Sequence, residues 1–287
     1  MIPAYAKPFA YRVPWRSSSA HLGDHLGTQR GLGFEYRGNI PLVDYPDARR
    51  IDLRQTLRDP WEQVHVKVFN QDNITPVFAL CDLSSSMQFK GRRRKLSQAM
   101  EIASSVAYSA HEAGDVFSLV GYADEVVEEL TLPLSHHVHQ AFEVIALLDG
   151  YRAMRTGCDG ILEVPQYLSQ HRGLVFWISD FHMPLETIEQ AMVMMSRHQV
   201  VPVVLWDERE YLKLPRFGFG NMIDPETGAS RTIFFRDSVR SMFVEAFAAR
   251  RQALENLFLR YESPPLFVSG EFSPETMAHY FEQYMSI

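Results

Sequence analysis

Two runs of consecutive apolar residues, each leading to an aspartate, constrain the fold of this chain more than any other feature. The first run, Val77–Cys81, is followed by Asp82, and the second, Leu174–Ile178, is followed two residues later by Asp180. A short, unbroken apolar run between polar segments is typical of a strand that is covered on both faces. Both runs therefore predict central strands of a parallel sheet.

Further strands alternate with helices between residues 76 and 206. Helices are predicted where apolar residues recur at three- and four-residue steps, beginning with Leu96, Ala99 and Ala103. The other predicted segments are a strand at Val116–Tyr122, a helix at His137–Leu148, a helix through Leu162 and Tyr167, a helix at Leu185–His198 and a strand at Val200–Trp206. This alternation predicts an α/β fold, a mostly parallel sheet with helices on both faces.

We predict three parts along the chain. Residues 1–70 form a small β-rich element with strand-like pieces at Gly33–Arg37 and Val64–Phe69, and residues 71–210 form the α/β domain. Residues 211–287 form a C-terminal extension that loosens at first and then continues as a long amphipathic helix from about Ser238 to Tyr261. A chain of 287 residues, 46% of them hydrophobic, is large enough for one main core and a satellite element.

Charge and composition argue against several classes of partner. The formal net charge of −7 argues against a general nucleic-acid or anionic-membrane binder, because such binding depends on basic charge. The longest apolar runs fall far short of the roughly 20 residues that cross a bilayer. The chain has two cysteines, Cys81 and Cys158, which do not make a disulfide framework. We therefore expect a cytoplasmic protein without a membrane span.

Oxygen-bearing side chains follow the predicted strands. They are Asp82, Ser84 and Ser86 after the first apolar run, Thr156 and Asp159 in a later loop, and Asp180 after the second run. Ligands of open parallel sheets bind at the carboxyl ends of the strands, where these groups would meet. Oxygen ligands suit a hard divalent cation, Mg²⁺ first and Mn²⁺ or Ca²⁺ as alternatives, rather than zinc. Serines in this position also cap helices, so each motif alone has a structural explanation.

The balance of ligands predicts what such a site would do. If the hydroxyls bind the ion directly and the acids act mostly through water, the ion keeps much of its positive charge. It would then favour one more anionic oxygen from outside the chain. The site is therefore suited to capturing the carboxylate of a partner protein.

These motifs resemble the metal-ion-dependent adhesion site of von Willebrand factor A domains. The resemblance covers Asp82–Ser86, Thr156 and Ile178–Asp180. The flanking segments resemble the bacterial domain-of-unknown-function 58 family; they are Gly33–Arg37, Arg49–Asp52, Arg54, Thr56, Lys67–Phe69, Val201–Val203 with Asp207 and Glu210, and Asp224–Gly228. Two departures are Leu53, where the family usually has tryptophan, and the missing upstream membrane helices that many members carry.

The resemblance implies a function in protein assembly rather than catalysis. Members of that family are typically encoded beside a MoxR-type AAA+ ATPase and are thought to act with it on client proteins. One subgroup accompanies methanol dehydrogenase genes. The resemblance therefore implies a non-enzymatic, metal-dependent adaptor that binds a MoxR-type ATPase and a client protein offering a carboxylate.

Two other functions stay open. A metal-assisted hydrolase or phosphoryl-transfer enzyme would use Asp82 as nucleophile and His182 as base, although Ser84 replaces the second acid that aspartyl phosphotransferases usually carry. A structural protein that has lost its metal is the third possibility.

The basic run Arg92–Lys95 places positive charge at the N-terminus of the helix that it opens, where it opposes the helix dipole, so a compensating group is expected. It is either a docking patch for an acidic partner or a solvated turn.

Overall fold

The computed structural model describes residues 2–13, 15, 25–44, 46, 48–61, 63–152, 157–211, 218–223 and 230–285. The strands are β1 (His25–Pro41), β2 (His65–Asn73), β3 (Pro76–Asp82), β4 (Val116–Tyr122), β5 (Val126–Ser135), β6 (Leu174–Ser179), β7 (Gln199–Leu205), β8 (Gly218–Ile223), β9 (Ser230–Phe235) and β10 (Leu266–Val268). The helices are α1 (Leu53–Thr56), α2 (Lys95–Glu112), α3 (Val138–Gly150), α4 (Leu185–Met194), α5 (Glu208–Tyr211), α6 (Asp237–Leu259) and α7 (Pro274–Tyr284).

A six-stranded sheet in the order β10-β7-β6-β3-β4-β5 forms the centre of the molecule. Its strands are parallel except for β5, which pairs with β4 in the antiparallel direction. The two apolar runs are the neighbouring strands β3 and β6, paired from Val77 with Leu174 to Cys81 with Ile178. The predicted α/β fold with a mostly parallel sheet is therefore confirmed.

Alternate residues of the central strands enter two separate cores. Val77, Ala79 and Cys81 of β3 pack on the side of the sheet that α2, α3 and α7 cover. Phe78 and Leu80 face the other side, where α4 and the end of α6 pack. Side chains of a strand point alternately to its two faces, so both faces need apolar residues. This requirement explains the unbroken apolar runs.

The N-terminal segment contributes to the same core. Phe9 and Tyr11 are buried against residues of α7 and the sheet. The backbone nitrogens of Lys7 and Phe9 donate to the hydroxyls of Ser105 and Ser109 on α2, over 3.1 and 2.9 Å. These bonds fix the segment along one face of the helix.

The predicted β-rich element near the N-terminus is present as the antiparallel pair β1 and β2. Between them α1 begins after Asp52, whose carboxylate accepts the backbone N–H groups of Arg54 and Gln55, each over 3.1 Å. Leu53, at the position where the family usually has tryptophan, is 70% exposed. The division of the chain at residues 70 and 210 stays a prediction.

Several local predictions were wrong. Strand β5 was not predicted; it lies at the sheet edge, where Pro133 costs no ladder hydrogen bond to a further strand. The predicted helix through Leu162 and Tyr167 is two 3-10 turns, Asp159–Leu162 and Val164–Tyr167, and Pro165 at the start of the second has no N–H to donate.

The C-terminal extension also differs from the prediction. Strand β8 lies in the stretch that was expected to be irregular, Asp207–Arg231, and pairs antiparallel with β9, which begins at the end of that stretch. The long helix is present as α6, and its buried residues, Leu254, Leu257 and Phe258, all lie near its end. Within the described residues, no helix combines the length and the apolar character that crossing a membrane requires.

Candidate metal centre

Asp82 is the last residue of β3, and its buried carboxylate is held on both sides. The backbone N–H of Ser84 donates to Oδ1 over 2.8 Å, and the hydroxyl of Ser179 donates to Oδ2 over 2.5 Å. Ser179 ends the neighbouring strand β6, so the pairing of the two strands brings these groups together. The ends of the two apolar runs therefore lie side by side.

The hydroxyls of Ser84 and Ser86 lie next to each other. Their Oγ atoms are 3.1 Å apart, and Ser86 Oγ lies 3.2 Å from Asp180 Oδ1, to which it donates. Both serines are at most 4% exposed. A single 3-10 turn, Ser85–Gln88, follows β3 and turns Ser86 back toward the end of β6. Three oxygens from two strand ends therefore converge in a buried space.

The loop after Asp180 is held in an unusual conformation. Phe181 has a φ of 53°, in the left-handed region that non-glycine residues seldom adopt. Its N–H donates to Ser179 Oγ over 2.8 Å, and Arg250 of α6 donates to its carbonyl oxygen over 2.6 Å. The indole N–H of Trp206 donates to the carbonyl of Asp180 over 2.8 Å. These bonds stabilise a strained turn beside the candidate site, where backbone strain is often found.

A lysine that was predicted only as part of a basic run lies inside the site. Lys95 Nζ donates to Asp180 Oδ2 over 2.8 Å and also pairs with Glu210. The Lys95 side chain is 2% exposed. In the sequence, the conflict between this positive charge and the helix dipole indicated that some group compensates for the charge. It did not indicate that Asp180 and Glu210 are that group.

The buried charges shift one another's pKa. Burial and the nearby Asp180 carboxylate raise the pKa of Asp82 to about 7. Burial also acts to raise the pKa of Asp180, but the Lys95 ammonium and neighbouring hydrogen bonds outweigh it and lower that pKa to about 2. Burial acts to lower the pKa of Lys95, and the carboxylates of Asp180 and Glu210 together raise it above its usual value. Asp180 and Lys95 therefore form a charged pair.

The other residues that the sequence suggested for this site are Thr156, Asp159 and His182. Thr156 lies outside the described residues. Asp159 is exposed at the start of a 3-10 turn. His182 stacks on Trp206, with its Nε2 4.0 Å from Asp180 Oδ2, and burial lowers its pKa.

The rest of the basic run has other partners. Arg93 forms an ion pair with Glu101 over 2.8 Å, and Arg94 donates to the carbonyl of Asp149 over 2.7 Å. The Arg92 side chain is exposed. The four basic residues therefore do not form one surface, because Lys95 is buried and two of the arginines are engaged within the chain.

The donor set fits a hard cation. The hydroxyls of Ser84 and Ser86 and the carboxylates of Asp82 and Asp180 offer only oxygen atoms, which Mg²⁺ prefers. In the part of the chain that the structure describes, no cluster of three or more His, Cys, Asp and Glu side chains could hold a metal. A centre here would therefore depend on the serine hydroxyls.

Comparison with known proteins gives a family match over most of the chain. A family model described as "Protein of unknown function DUF58" matches residues 45–253. The structure of BatB from Bacteroides thetaiotaomicron is 13% identical over 74% of this chain and 98% of that chain, with a TM-score of 0.43. An aerotolerance-related membrane protein from Bacteroides fragilis gives the same values. The SpRpn10 VWA domain is 13% identical over 73% of this chain and 95% of its own, with a TM-score of 0.38. None of the curated proteins matches.

Proposed function

The chain belongs to the DUF58 family, whose description assigns no function, and we propose from the site itself that it is a non-enzymatic, metal-dependent protein-binding module. The observation that carries this proposal is the convergence of Ser84 Oγ, Ser86 Oγ and Asp180 Oδ1, with successive distances of 3.1 and 3.2 Å. These hydroxyls bond to each other and to Asp180. The same cluster of oxygen atoms beside two buried carboxylates is suited to a bound hard cation.

The proposed ligands divide by charge. Ser84 and Ser86 would bind the ion through neutral hydroxyls. The carboxylates of Asp82 and Asp180 would supply the negative charge of the site, and Thr156 is the remaining proposed ligand. When bound, Mg²⁺ would supply an open coordination position with residual positive charge for a carboxylate of the partner. Hydrogen bonds from Ser84 N and Ser179 Oγ hold the Asp82 carboxylate in one orientation.

The proposed partners are a MoxR-type AAA+ ATPase and a client protein with an exposed acidic side chain. Support for the ATPase comes from the family resemblance, and support for the acidic client comes from the mostly neutral donors of the site. A cytoplasmic location belongs to the same proposal. It is supported by the two buried cysteines, Cys81 and Cys158, neither of which forms a disulfide, as suits a reducing compartment.

The test compares capture of partners by the wild type with capture by the double variant Ser84→Ala, Ser86→Ala. Each protein is used to retain partners from the native host in Mg²⁺ and in EDTA, and retained proteins are identified by mass spectrometry. We expect the ATPase or a client to be retained only by the wild type in Mg²⁺. The variant Ser85→Ala, between the two serines, serves as the control and should behave like the wild type.

Two results would contradict the proposal. Equal capture by the wild type and the double variant would show that binding uses another surface. Phosphatase turnover of generic substrates that is lost in Asp82→Asn would instead favour an enzyme. Circular dichroism of each variant separates a lost site from a lost fold, because removing two hydroxyls leaves the apolar cores unchanged.

A further inference from the structure

The ammonium group of Lys95 is buried within the candidate metal centre. Its Nζ atom lies 2.8 Å from Asp180 Oδ2, pairs with Glu210, and lies 5.6 Å from the centre of the Phe89 ring. Its side chain is 2% exposed. Burying an ammonium group costs several kcal/mol unless it is paired and hydrogen-bonded. Lys95 meets that condition through Asp180, the same carboxylate whose other oxygen accepts the hydroxyl of Ser86.

The position of Lys95 in the helix adds to this cost. Lys95 is the first residue of α2, and the preceding Arg94 makes no side-chain cap. The N-terminus of a helix carries partial positive charge, so a cation there is unfavourable. An apolar side chain of similar length would avoid both costs, but it would leave the buried carboxylates of Asp180 and Glu210 without a cation. The charge of the site, not the packing or the helix, therefore explains a lysine here.

The two oxygens of Asp180 are divided between the site and the lysine. Oδ1 accepts the hydroxyl of Ser86, 3.2 Å away, and Oδ2 accepts Lys95 Nζ. We propose that Lys95 is a built-in cation that holds Asp180 and Glu210 in place without metal and opposes the charge of an incoming ion, so that it sets how tightly the centre binds Mg²⁺. This inference rests on the proposed function, because it takes the serine hydroxyls as cation ligands.

The neighbouring cationic groups do not take the same role. Arg250 bonds to the carbonyl oxygens of Phe181 and Met183, not to the carboxylate of Asp180. His182 Nε2 is 4.0 Å from Asp180 Oδ2, and its ring packs on Trp206. Lys95 is therefore the group whose removal changes the charge beside Asp180 most directly.

The size of the effect follows from the electrostatics of two positive charges in a buried site. A unit positive charge within several ångströms of a divalent ion, away from bulk water, repels it strongly. We expect Lys95→Met to bind Mg²⁺ and Mn²⁺ at least about tenfold more tightly than the wild type. The same variant leaves Asp180 and Glu210 without their cation. Its melting temperature in EDTA should therefore fall, and metal should raise it by more than it raises that of the wild type.

The experiment is isothermal titration calorimetry of the full chain with MgCl₂ and with MnCl₂, together with melting curves in EDTA and in metal. Arg93→Met is the matched control, since Arg93 belongs to the same basic run but pairs with Glu101 away from the site. It should bind metal like the wild type. Glu210→Gln removes a negative charge while keeping Lys95, and it should bind metal more weakly than the wild type.

Each outcome decides the matter. Tighter binding by Lys95→Met, with Arg93→Met unchanged, supports the inference, and equal or weaker binding overturns it. If Lys95→Met does not fold, the test is metal binding by Glu210→Gln. If Glu210→Gln binds Mg²⁺ as tightly as the wild type or more tightly, the inference is overturned. Metal binding by Lys95→Met but not by the wild type would support the inference and contradict the metal-dependent function. Binding by neither protein would overturn both.

Discussion

The backbone of Gly91 lies directly against the side chain of Asp207. A Cβ atom added to Gly91 would lie 2.8 Å from Asp207 Cβ and closer still to the carboxyl group. Asp207 has little freedom to move away, because its carboxylate accepts the backbone N–H groups of Arg92 and Arg209, over 2.6 and 2.8 Å. This contact joins the loop before α2 to the residue before α5, and these two helices carry Lys95 and Glu210.

The first prediction follows from this contact. Gly91→Ala should lower the free energy of unfolding by about 1–3 kcal/mol, because the added methyl group displaces a carboxylate that is bonded to two backbone amides. The measurement is urea unfolding followed by circular dichroism. Gly150→Ala is the control: Gly150 ends α3, and a Cβ there would meet nothing within 4 Å. Equal stability of Gly91→Ala and the control would show that Asp207 moves freely.

The second prediction concerns the excess of negative charge in the centre. Asp82 and Asp180 are both about 1% exposed, and the cation beside them, Lys95, pairs with Asp180 and Glu210. Asp82→Asn should therefore raise the melting temperature of the EDTA-treated protein while abolishing stabilisation by Mg²⁺. The amide keeps an oxygen for the N–H of Ser84. A fall in melting temperature in EDTA would mean that the Asp82 carboxylate stabilises the metal-free fold.

The location of the site could be predicted from the sequence because it depends on a short-range pattern. Strands β3 and β6 are unbroken apolar runs, and parallel pairing places the residues after them at one edge. Ser84 and Ser86 follow directly after β3, and Asp180 follows directly after the neighbouring strand β6. The pairing of these two strands is therefore enough to bring the three residues together. The edge strand β5 was missed because its buried and exposed residues do not alternate regularly. Strand β5 is partly exposed, and its strand conformation depends on its pairing with β4.

The role of Lys95 could not be predicted in the same way. Unlike Ser84 and Ser86, Lys95 does not directly follow a strand. It begins α2, so its approach to Asp180 and Glu210 depends on how α2 and α5 pack at the sheet edge, which no strand pattern indicates. Sequence showed only that a positive charge opposes the helix dipole at the start of α2. Three neighbouring arginines made the lysine look like part of a surface run. The fold separates them, because the first turn of α2 points Lys95 inward.

The third prediction tests a buried hydrogen bond between two central strands. The indole N–H of Trp177 donates to the hydroxyl of Tyr122 over 2.6 Å, and neither side chain is exposed. Tyr122→Phe leaves that N–H without its acceptor, so we expect a loss of about 1–3 kcal/mol in the free energy of unfolding. Tyr167→Phe, at a tyrosine that is 43% exposed, should change stability by less than about 0.5 kcal/mol. Equal losses in both variants would contradict the prediction.

The fourth prediction is a dependence of stability on pH. His198 Nδ1 accepts the backbone N–H of Gly173 over 3.1 Å, and the ring packs edge-on against Phe78. Burial, followed by the charges of Arg197 and Arg172, lowers the pKa of His198 to about 4. The folded state therefore disfavours the protonated ring, which could no longer accept from Gly173.

The sign follows from the two pKa values of His198. Between about pH 6.5 and pH 4 the unfolded chain binds a proton that the folded chain does not, so stability falls as the pH is lowered through this window. We expect a loss of about 1–2 kcal/mol in the free energy of unfolding, less than the pKa shift alone implies, because part of the ring faces solvent.

His198→Gln keeps an acceptor for Gly173 but cannot titrate, so its unfolding curves should change less between pH 6.5 and pH 4.5. The exposed His171, changed to Gln, should leave the wild-type dependence intact. His198→Gln removes the titrating ring that faces Phe78. If its stability depends on pH in the same way as that of the wild type, other groups cause the loss of stability at low pH.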